Sequence, residues 1–341
     1  MADAHRGPRY QLAMAAAKAT QAALTAAHRN GGQLPGVIAE KIDPQILADV
    51  PRPQTVVCVS GTNGKTTTNN LLNDLLADNG YEVVNNRAGG NVANGIQSTL
   101  IRNATMSGGT KKDMAVMELD ELSFRKVLPY LTPDVILVTN LYRDSFSRNA
   151  NPDFIFNVMS HYVSPKTKLV LNADDLISCR LAPQDANRVY YSIGRLADDT
   201  AEPQGIVCDL TACPVCGGKL EYDYCHLRHL GHATCKSCGF TNPEPDYELT
   251  ALDREAHTFT VCERSHEGAP THTYRYGNYS ITNLYNLFST VVVARELGLS
   301  AETIGASLER GINVTALRYT EEEAGGKRLV AVASKGENST A

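Results

Sequence analysis

The chain has 341 residues, 43% of them hydrophobic and 20% charged, enough for two or more domains with real cores. A formal net charge of −5 gives no electrostatic case for nucleic acid, and no apolar stretch reaches the length of a membrane-spanning helix. Nine cysteines raise the question of disulfides, but four fall in a metal-type pattern, so a reduced, cytoplasmic setting is expected.

The stretch from Gln11 to Ala27 is alanine-rich but interrupted by Lys18, Thr20, Gln21 and Thr25. It lacks the continuous apolar core of a signal peptide and reads as an amphipathic helix ending at Asn30-Gly31-Gly32, within an N-terminal helical segment of residues 1–50. Val56-Val57-Cys58-Val59 then reads as a buried strand. It breaks at glycine in Ser60-Gly61-Thr62-Asn63-Gly64-Lys65-Thr66-Thr67, and a helix-compatible run from Asn69 to Asp78 follows. Strand, glycine loop and helix are the context of an ATP-binding phosphate loop. Gly61 and Gly64 let the backbone N–H groups of the Gly61–Thr67 loop turn inward, and the helix N-terminus adds partial positive charge. Lys65 would reach the β- and γ-phosphates, and the Thr66 hydroxyl would hold Mg²⁺. The Gly-x-x-Gly-Lys-Thr-Thr spacing is shorter than the common Walker A pattern, and a glycine turn with an incidental lysine is the competing reading.

Ala115-Val116-Met117 is a second apolar strand, ending at Glu118. A carboxylate at a strand carboxyl end faces the crevice where ligands bind in open α/β sheets, and can meet Mg²⁺ there. The alternative is a solvated acidic cluster with Asp120 and Glu121. Asp134 to Thr139 is a third strand, leading through Asn140 to Arg143 and Asp144; an ordinary helix N-cap is the alternative role for Asp144. Leu169 to Leu171 is a fourth, ending in Asn172-Ala173-Asp174-Asp175, where Asp174 could equally be an N-cap.

Within residues 206–245, Cys213-Pro-Val-Cys216 and Cys235-Lys-Ser-Cys238 are separated by 18 residues, the spacing of a four-cysteine zinc ribbon. A glycine after each pair lets the backbone turn its N–H groups toward the thiolates. Four thiolates would close the Zn²⁺ site, so its role is expected to be structural. Cys208, Cys225, His226, His229 and His232 lie close enough in sequence to substitute as ligands, and two redox pairs are the other alternative. From Tyr247 to Tyr276 short alternating runs read as antiparallel strands. The run starting at Gly277 then opens a long helix to Glu296, with Asn283 and Asn286 three apart on one face.

The sequence GTNGKTT after an apolar strand resembles the Mur ligase and folylpolyglutamate synthase superfamily, whose members phosphorylate a carboxylate and let an amine attack the acyl phosphate. With the ribbon inserted, the chain resembles the MurT family, the ATP-using subunits of lipid II isoglutaminyl synthase. Further matches are Leu34-Pro35-Gly36, Lys41-Ile42-Asp43-Pro44, Asn91 with Gly95, and Met117-Glu118-Leu119-Asp120-Glu121, so the resemblance runs from residue 10 to residue 338.

The resemblance implies an α/β fold: a central phosphate-loop domain over 51–315, with a mostly parallel, doubly wound sheet, the ribbon inserted in it, and the start of a truncated C-terminal α/β domain over 316–341. That last part contains Arg318-Tyr319 and the strand-like Arg328 to Ala333. Lys65, Glu118 and Asp144 become the catalytic set, with Thr66 and Glu118 on Mg²⁺. Asp144 and Arg148 match a family Asp-x-x-Asp-Arg element, but Ser147 replaces its second aspartate, and Ser145 stands where a histidine or glutamine is usual. Asn286 would contact adenine, with Asn283 and Arg318 also at the nucleotide and Thr282 replacing a histidine. No counterpart of the carbamylated lysine of ordinary Mur ligases is identified.

The activity implied is ATP-dependent amidation of the D-glutamate α-carboxylate in the stem peptide of lipid II, with ammonia from a GatD-type glutaminase partner. An amino-acid-adding Mur or folylpolyglutamate-type ligase, and a nucleotide-binding scaffold without turnover, are the competing functions.

Overall fold

The computed structural model describes residues 6–29, 32–87, 90–142, 151–182, 186–203, 210, 212–276, 281–311, 319–325 and 327–332. Three helices come first: α1 (Pro8–Ala26), α2 (Leu34–Ile42) and α3 (Ile46–Asp49). Helix α1 starts three residues before the expected Gln11, because Pro8 at its first position has its φ already set and needs no N–H partner. It buries Tyr10, Ala13, Met14 and Ala17, a stripe at helical spacing.

The sheet begins with β1 (Thr55–Ser60), followed by α4 (Lys65–Asp78), β2 (Val83–Asn85), α5 (Ala93–Asn103) and β3 (Met114–Glu118). A 3₁₀ turn over Glu121–Ser123 leads into α6 (Phe124–Val127), β4 (Val135–Val138), α7 (Pro152–Tyr162), β5 (Lys168–Asn172) and β6 (Arg188–Ile193). The cysteine insert supplies β7 (Leu220–Leu227) and β8 (Leu230–Cys235). Then come β9 (Tyr247–Asp253), β10 (Thr258–Glu263), β11 (Thr271–Arg275), α8 (Ile281–Glu296), α9 (Ala301–Glu309), β12 (Tyr319–Ala324) and β13 (Lys327–Val332).

Among the described residues one nine-stranded sheet runs β11-β10-β9-β6-β5-β4-β1-β3-β2. Every neighbouring pair from β2 across to β9 is parallel, and β10 and β11 turn back as the expected antiparallel extension. Burial on both faces explains the continuous apolar runs of the central strands. In β1, Val56 and Cys58 face one core with α1, α5 and α6, while Val57 and Val59 face a second core with α4, α8 and α9. The chain leaves β1 toward β2 and β3 on one side and later returns to β4 on the other. The carboxyl end of β1 is therefore the topological switch point, where such sheets bind ligands.

The insert departs after β6 and returns at β9, and these two strands pair directly, Tyr191 opposite Tyr247. The ribbon is thus an excursion whose two ends stay joined in the sheet. Its hairpin β7–β8 is antiparallel. Strands β12 and β13 form a separate antiparallel pair, Tyr319 opposite Val332, which includes the strand expected near residue 328. No helix among the described residues is long and apolar enough to cross a membrane.

Candidate active site

The phosphate loop forms where β1 ends. Gly61 has φ +121° and Gly64 φ +85°, both in the region that disfavours side chains. Space is also absent: a Cβ on Gly61 would lie 2.3 Å from Thr139 Oγ1, and one on Gly64 would lie 2.1 Å from Asn286 Oδ1. Helix α4 starts at Lys65 itself, four residues before the expected Asn69, with left-handed Gly64 as its N-cap. The loop amides therefore lead straight into the helix N-terminus, as anion binding requires.

Lys65 meets a carboxylate from the turn after β3, and Thr66 meets one at the end of β3 itself. Thr66 Oγ1 donates to Glu118 Oε2 at 2.8 Å, joining the two groups expected at Mg²⁺. Asn91 Nδ2 donates to the other oxygen of Glu118 at 2.8 Å. Asn86 fixes the backbone of Glu118 from both sides, accepting from its N–H at 2.9 Å and donating to its C=O at 2.8 Å.

Lys65 Nζ lies 3.0 Å from Glu121 Oε1, with side-chain exposures of only 11% and 9%, and also donates to the carbonyls of Gly61 and Thr62. Burial alone would lower the Lys65 pKa, but the Glu121 carboxylate outweighs it and the net shift is upward. Burial raises the Glu121 carboxyl too, opposed by Lys65. The contact distance and the two loop carbonyls around the ammonium decide for the ion pair. The acidic run Glu118–Glu121 is therefore not a solvated cluster: Glu118 meets Thr66, Asp120 caps the 3₁₀ turn through Leu122 N–H, and Glu121 is buried on Lys65.

The opposite wall of the loop is the segment after β4. Thr62 N–H donates to the Asn140 carbonyl at 2.9 Å, and Asn63 N–H donates to Asn140 Oδ1 at 3.0 Å. Thr139 Oγ1 donates to the Asn63 carbonyl at 2.6 Å. Asn286 lies behind the loop, 3% exposed, with its Oδ1 accepting from Thr68 Oγ1 at 3.3 Å. Through this bond it joins α8 to α4. Asn283 is half-buried one turn earlier on α8, and Thr67 is half-buried on the first turn of α4. Asp144, Ser145, Ser147, Arg148, Cys208 and Arg318 lie outside the described residues.

Asp174, after β5, is turned into the core toward Ile193 and Tyr285. Asp174 Oδ2 is buried and accepts from Ile193 N–H at 2.8 Å and from the Tyr285 hydroxyl at 2.7 Å. Burial pushes its carboxyl up to about 6, against the opposing pull of His226, Ile193 N–H and the Tyr285 hydroxyl. A folded-state value above the unfolded one means that the folded protein holds this proton more tightly. The stability it contributes is present below about pH 4 and is lost as pH rises through about 6. Asp174→Asn is therefore expected to gain ~1–3 kcal/mol on the parent protein between pH 4 and pH 8, read by urea unfolding of both at the two pH values.

In the ribbon the sulfurs of Cys213, Cys216, Cys235 and Cys238 all lie within 4.8 Å of one another. Cys213 and Cys238 are 3.8 Å apart and Cys216 and Cys235 are 3.5 Å apart, near the roughly 3.8 Å edge of a tetrahedron with metal–sulfur bonds of about 2.3 Å. The knuckle glycines Gly217 and Gly239 have φ +73° and +74°, and Val215 and Gly218 donate N–H bonds of 3.4 Å to Cys213 and Cys216. Burial opposes ionisation of Cys235, yet the Cys238 and Ser237 amides hold its thiol down to about 6. Cys238, despite a bond from the Phe240 amide, is pushed up to about 12 by the neighbouring thiols. Four thiol donors crowded in this way fit a soft divalent cation. The alternative ligands are engaged elsewhere: Cys225 donates to the Arg228 carbonyl, and His226, His229 and His232 bind Asp199, Asp175 and Asp223.

Glu121, Asn86 and Asn140 escaped the sequence reading. Glu121 carried a signal, an acid three residues after Glu118 in the same polar run. Asn86 and Asn140 carried none, since their partners lie 32 and 77 residues away.

Residues 59–214 match the family model described as the Mur ligase middle domain. The MurT subunit of lipid II isoglutaminyl synthase from Staphylococcus aureus (strain COL) is 35% identical over 86% of this chain and 64% of its own length. The MurT subunit from Streptococcus pneumoniae is 29% identical over 82% of this chain and 61% of its own. The chain thus spans a little under two thirds of these curated relatives. Among solved structures, a pseudomurein peptide ligase type C from Methanothermus fervidus superimposes with a TM-score of 0.59 and 26% identity, over 76% of this chain and 50% of that one. The doubly wound sheet with its glycine loop at the switch point is a Mur-ligase-type core, and residues 59–214 match the middle domain of that family. Over most of its length the chain is similar to MurT subunits.

Proposed function

We propose that this chain is the synthetase part of an amidotransferase that converts the D-glutamate α-carboxylate of lipid II to D-isoglutamine. The observation that carries the reading is the assembly of Lys65, Thr66 and Glu118 around one glycine loop, in a chain 35% identical to a MurT subunit over 86% of its length. A carboxylate is a poor electrophile at neutral pH. Its oxygen attacks the γ-phosphorus of ATP, ADP leaves, and the acyl phosphate then accepts ammonia at the carbonyl carbon with loss of inorganic phosphate.

In this scheme the loop amides and Lys65 hold the phosphates, and catalysis is positioning and charge stabilisation. Thr66 and Glu118 would hold Mg²⁺, which supplies charge neutralisation between the phosphates. A GatD-type glutaminase would supply the ammonia, with lipid II reached at the cytoplasmic membrane face. Asp144 and Arg318 would join the site from outside the described residues, and Asn283 from α8.

The test is ADP release from this chain with Mg-ATP, lipid II and ammonium chloride, which replaces the glutaminase, followed by product mass spectrometry. ADP with a hydroxyl-to-amino mass change is the expected result. Turnover that needs an amino acid instead of ammonium would refute it in favour of an amino-acid-adding ligase. Nucleotide binding without turnover under all of these conditions would refute it in favour of a scaffold.

The four ribbon thiols would hold structural Zn²⁺. Chelation is expected to release one zinc per chain and lower the thermal midpoint by roughly 5 °C or more. Metal analysis of the purified protein beside its melting curve checks both.

A further inference from the structure

The tip of the ribbon hairpin reaches the wall of the phosphate loop. His229, in the turn between β7 and β8, is fully buried, and its Nε2 lies 3.1 Å from Asp175 Oδ1. Burial opposes ionisation of Asp175, but His229 and the Leu141 N–H outweigh it and hold its carboxyl below the usual range. Asp175 is therefore the acceptor and His229 the donor. Its other nitrogen, Nδ1, is buried and has no hydrogen-bond partner among the described residues. A ring seated at that cost is held by what it touches: its centroid lies 4.7 Å from that of the Tyr142 ring, the two planes tilted by 54°. The other oxygen of Asp175 accepts the Leu141 N–H at 2.7 Å.

Leu141 and Tyr142 continue the segment that walls the loop. Tyr142 N–H donates to Thr62 Oγ1 at 3.0 Å, and Thr62 Oγ1 donates to the Tyr142 carbonyl at 3.2 Å. Asn140 takes the Thr62 and Asn63 amides. The same hairpin is pinned to the end of β5 at a second point, where Gly231 N–H donates to the Asp174 carbonyl at 3.0 Å and Asn242 bridges the Ala173 and Gly231 carbonyls. The four cysteines close the far end of this hairpin: Cys235 ends β8, and Cys213 and Cys216 lie just before β7.

We propose that the ribbon is a wedge that positions the phosphate loop: His229, seated on Asp175 and Tyr142, braces Asn140–Tyr142 against Thr62 and Asn63, so that zinc in the ribbon and nucleotide in the loop bind cooperatively. His229 and Asp175 are positioning residues, acting through the Asn140–Tyr142 segment. The inference rests on reading residues 61–67 as a nucleotide loop.

The test uses the full chain, zinc-loaded and chelator-stripped, in parent, His229→Ala and His229→Gln forms. MgADP affinity is measured by calorimetry, and amide exchange at residues 61–65 is followed without nucleotide. In the parent, stripping zinc should weaken MgADP about tenfold, within the usual range of coupling between sites, and MgADP should tighten zinc by the same factor. Exchange at residues 61–65 should rise together with that loss. His229→Ala should bind MgADP as weakly as stripped protein while keeping its zinc, and should no longer respond to chelation. His229→Gln, which still offers a donor to Asp175, should recover most of the affinity.

Equal MgADP affinity with and without zinc in the parent protein overturns the proposal, and so does a zinc-loaded His229→Ala that binds like the parent. If His229→Ala does not fold, the parent protein's two zinc states and their exchange rates still decide. If no form binds MgADP but exchange at 61–65 follows zinc, the nucleotide reading fails and the brace stands. If exchange is indifferent to zinc, the brace fails whatever the nucleotide does.

Discussion

On the proposed reaction, Lys65→Met is expected to lower ATP turnover by about 10²–10³-fold or more, because it would remove a preorganised cation from the place where phosphoryl charge is proposed to develop. It should also destabilise the protein by ~3–5 kcal/mol, since Glu121 is then a buried carboxylate without its ion-pair partner. The two effects separate in the double variant Lys65→Met with Glu121→Gln. Removing both charges should recover most of the stability and none of the turnover, as measured by urea unfolding and ADP release. Glu121→Gln alone leaves Lys65 on the Gly61 and Thr62 carbonyls. It should fold and retain turnover within about tenfold, with the change concentrated in KM for ATP, because the ammonium no longer exchanges a carboxylate for phosphate. A double variant as unstable as Lys65→Met would show that the ion pair is not what the lysine contributes to the fold.

Gly64→Ala is expected to abolish nucleotide binding. Two penalties combine: a side chain at φ +85°, which costs about 1–3 kcal/mol, and a methyl group placed 2.1 Å from Asn286 Oδ1. Adding Asn286→Ala removes the clash but not the strained backbone. The double variant should therefore regain part of the stability lost by Gly64→Ala while MgADP binding stays impaired, read by unfolding and calorimetry. At Gly61 no such rescue is expected, because a Cβ there would also lie 2.8 Å from the Asn140 carbonyl, which is backbone. Wild-type-like binding by Gly64→Ala would mean that the loop conformation seen here is not the one that takes nucleotide.

The sequence by itself determined the features that short-range rules control. An apolar β-branched run, two glycines and a lysine specify a strand, a left-handed turn and a helix start within about a dozen residues, because each choice is made by local sterics and backbone hydrogen bonding. Two Cys-x-x-Cys-Gly knuckles specify a four-sulfur site for the same reason. The placement of Glu118 at a strand end was also legible, since the continuous apolar run Ala115-Val116-Met117 stops there.

Only the tertiary structure decided what those features meet. Lys65 finds Glu121 at a separation of 56 residues, Thr68 finds Asn286 at 218, and Asp175 finds His229 at 54. Nothing near any of these residues announces its partner, because the meetings are set by the strand order that puts β1 between β3 and β4 and by the pairing of β6 with β9 across the insert. Asp174 shows the same limit: its neighbours suggest a cap, and only burial among Ile193, Tyr285 and His226 makes it a raised carboxyl. Local geometry is encoded in consecutive residues, whereas burial and partner choice are properties of the assembled core.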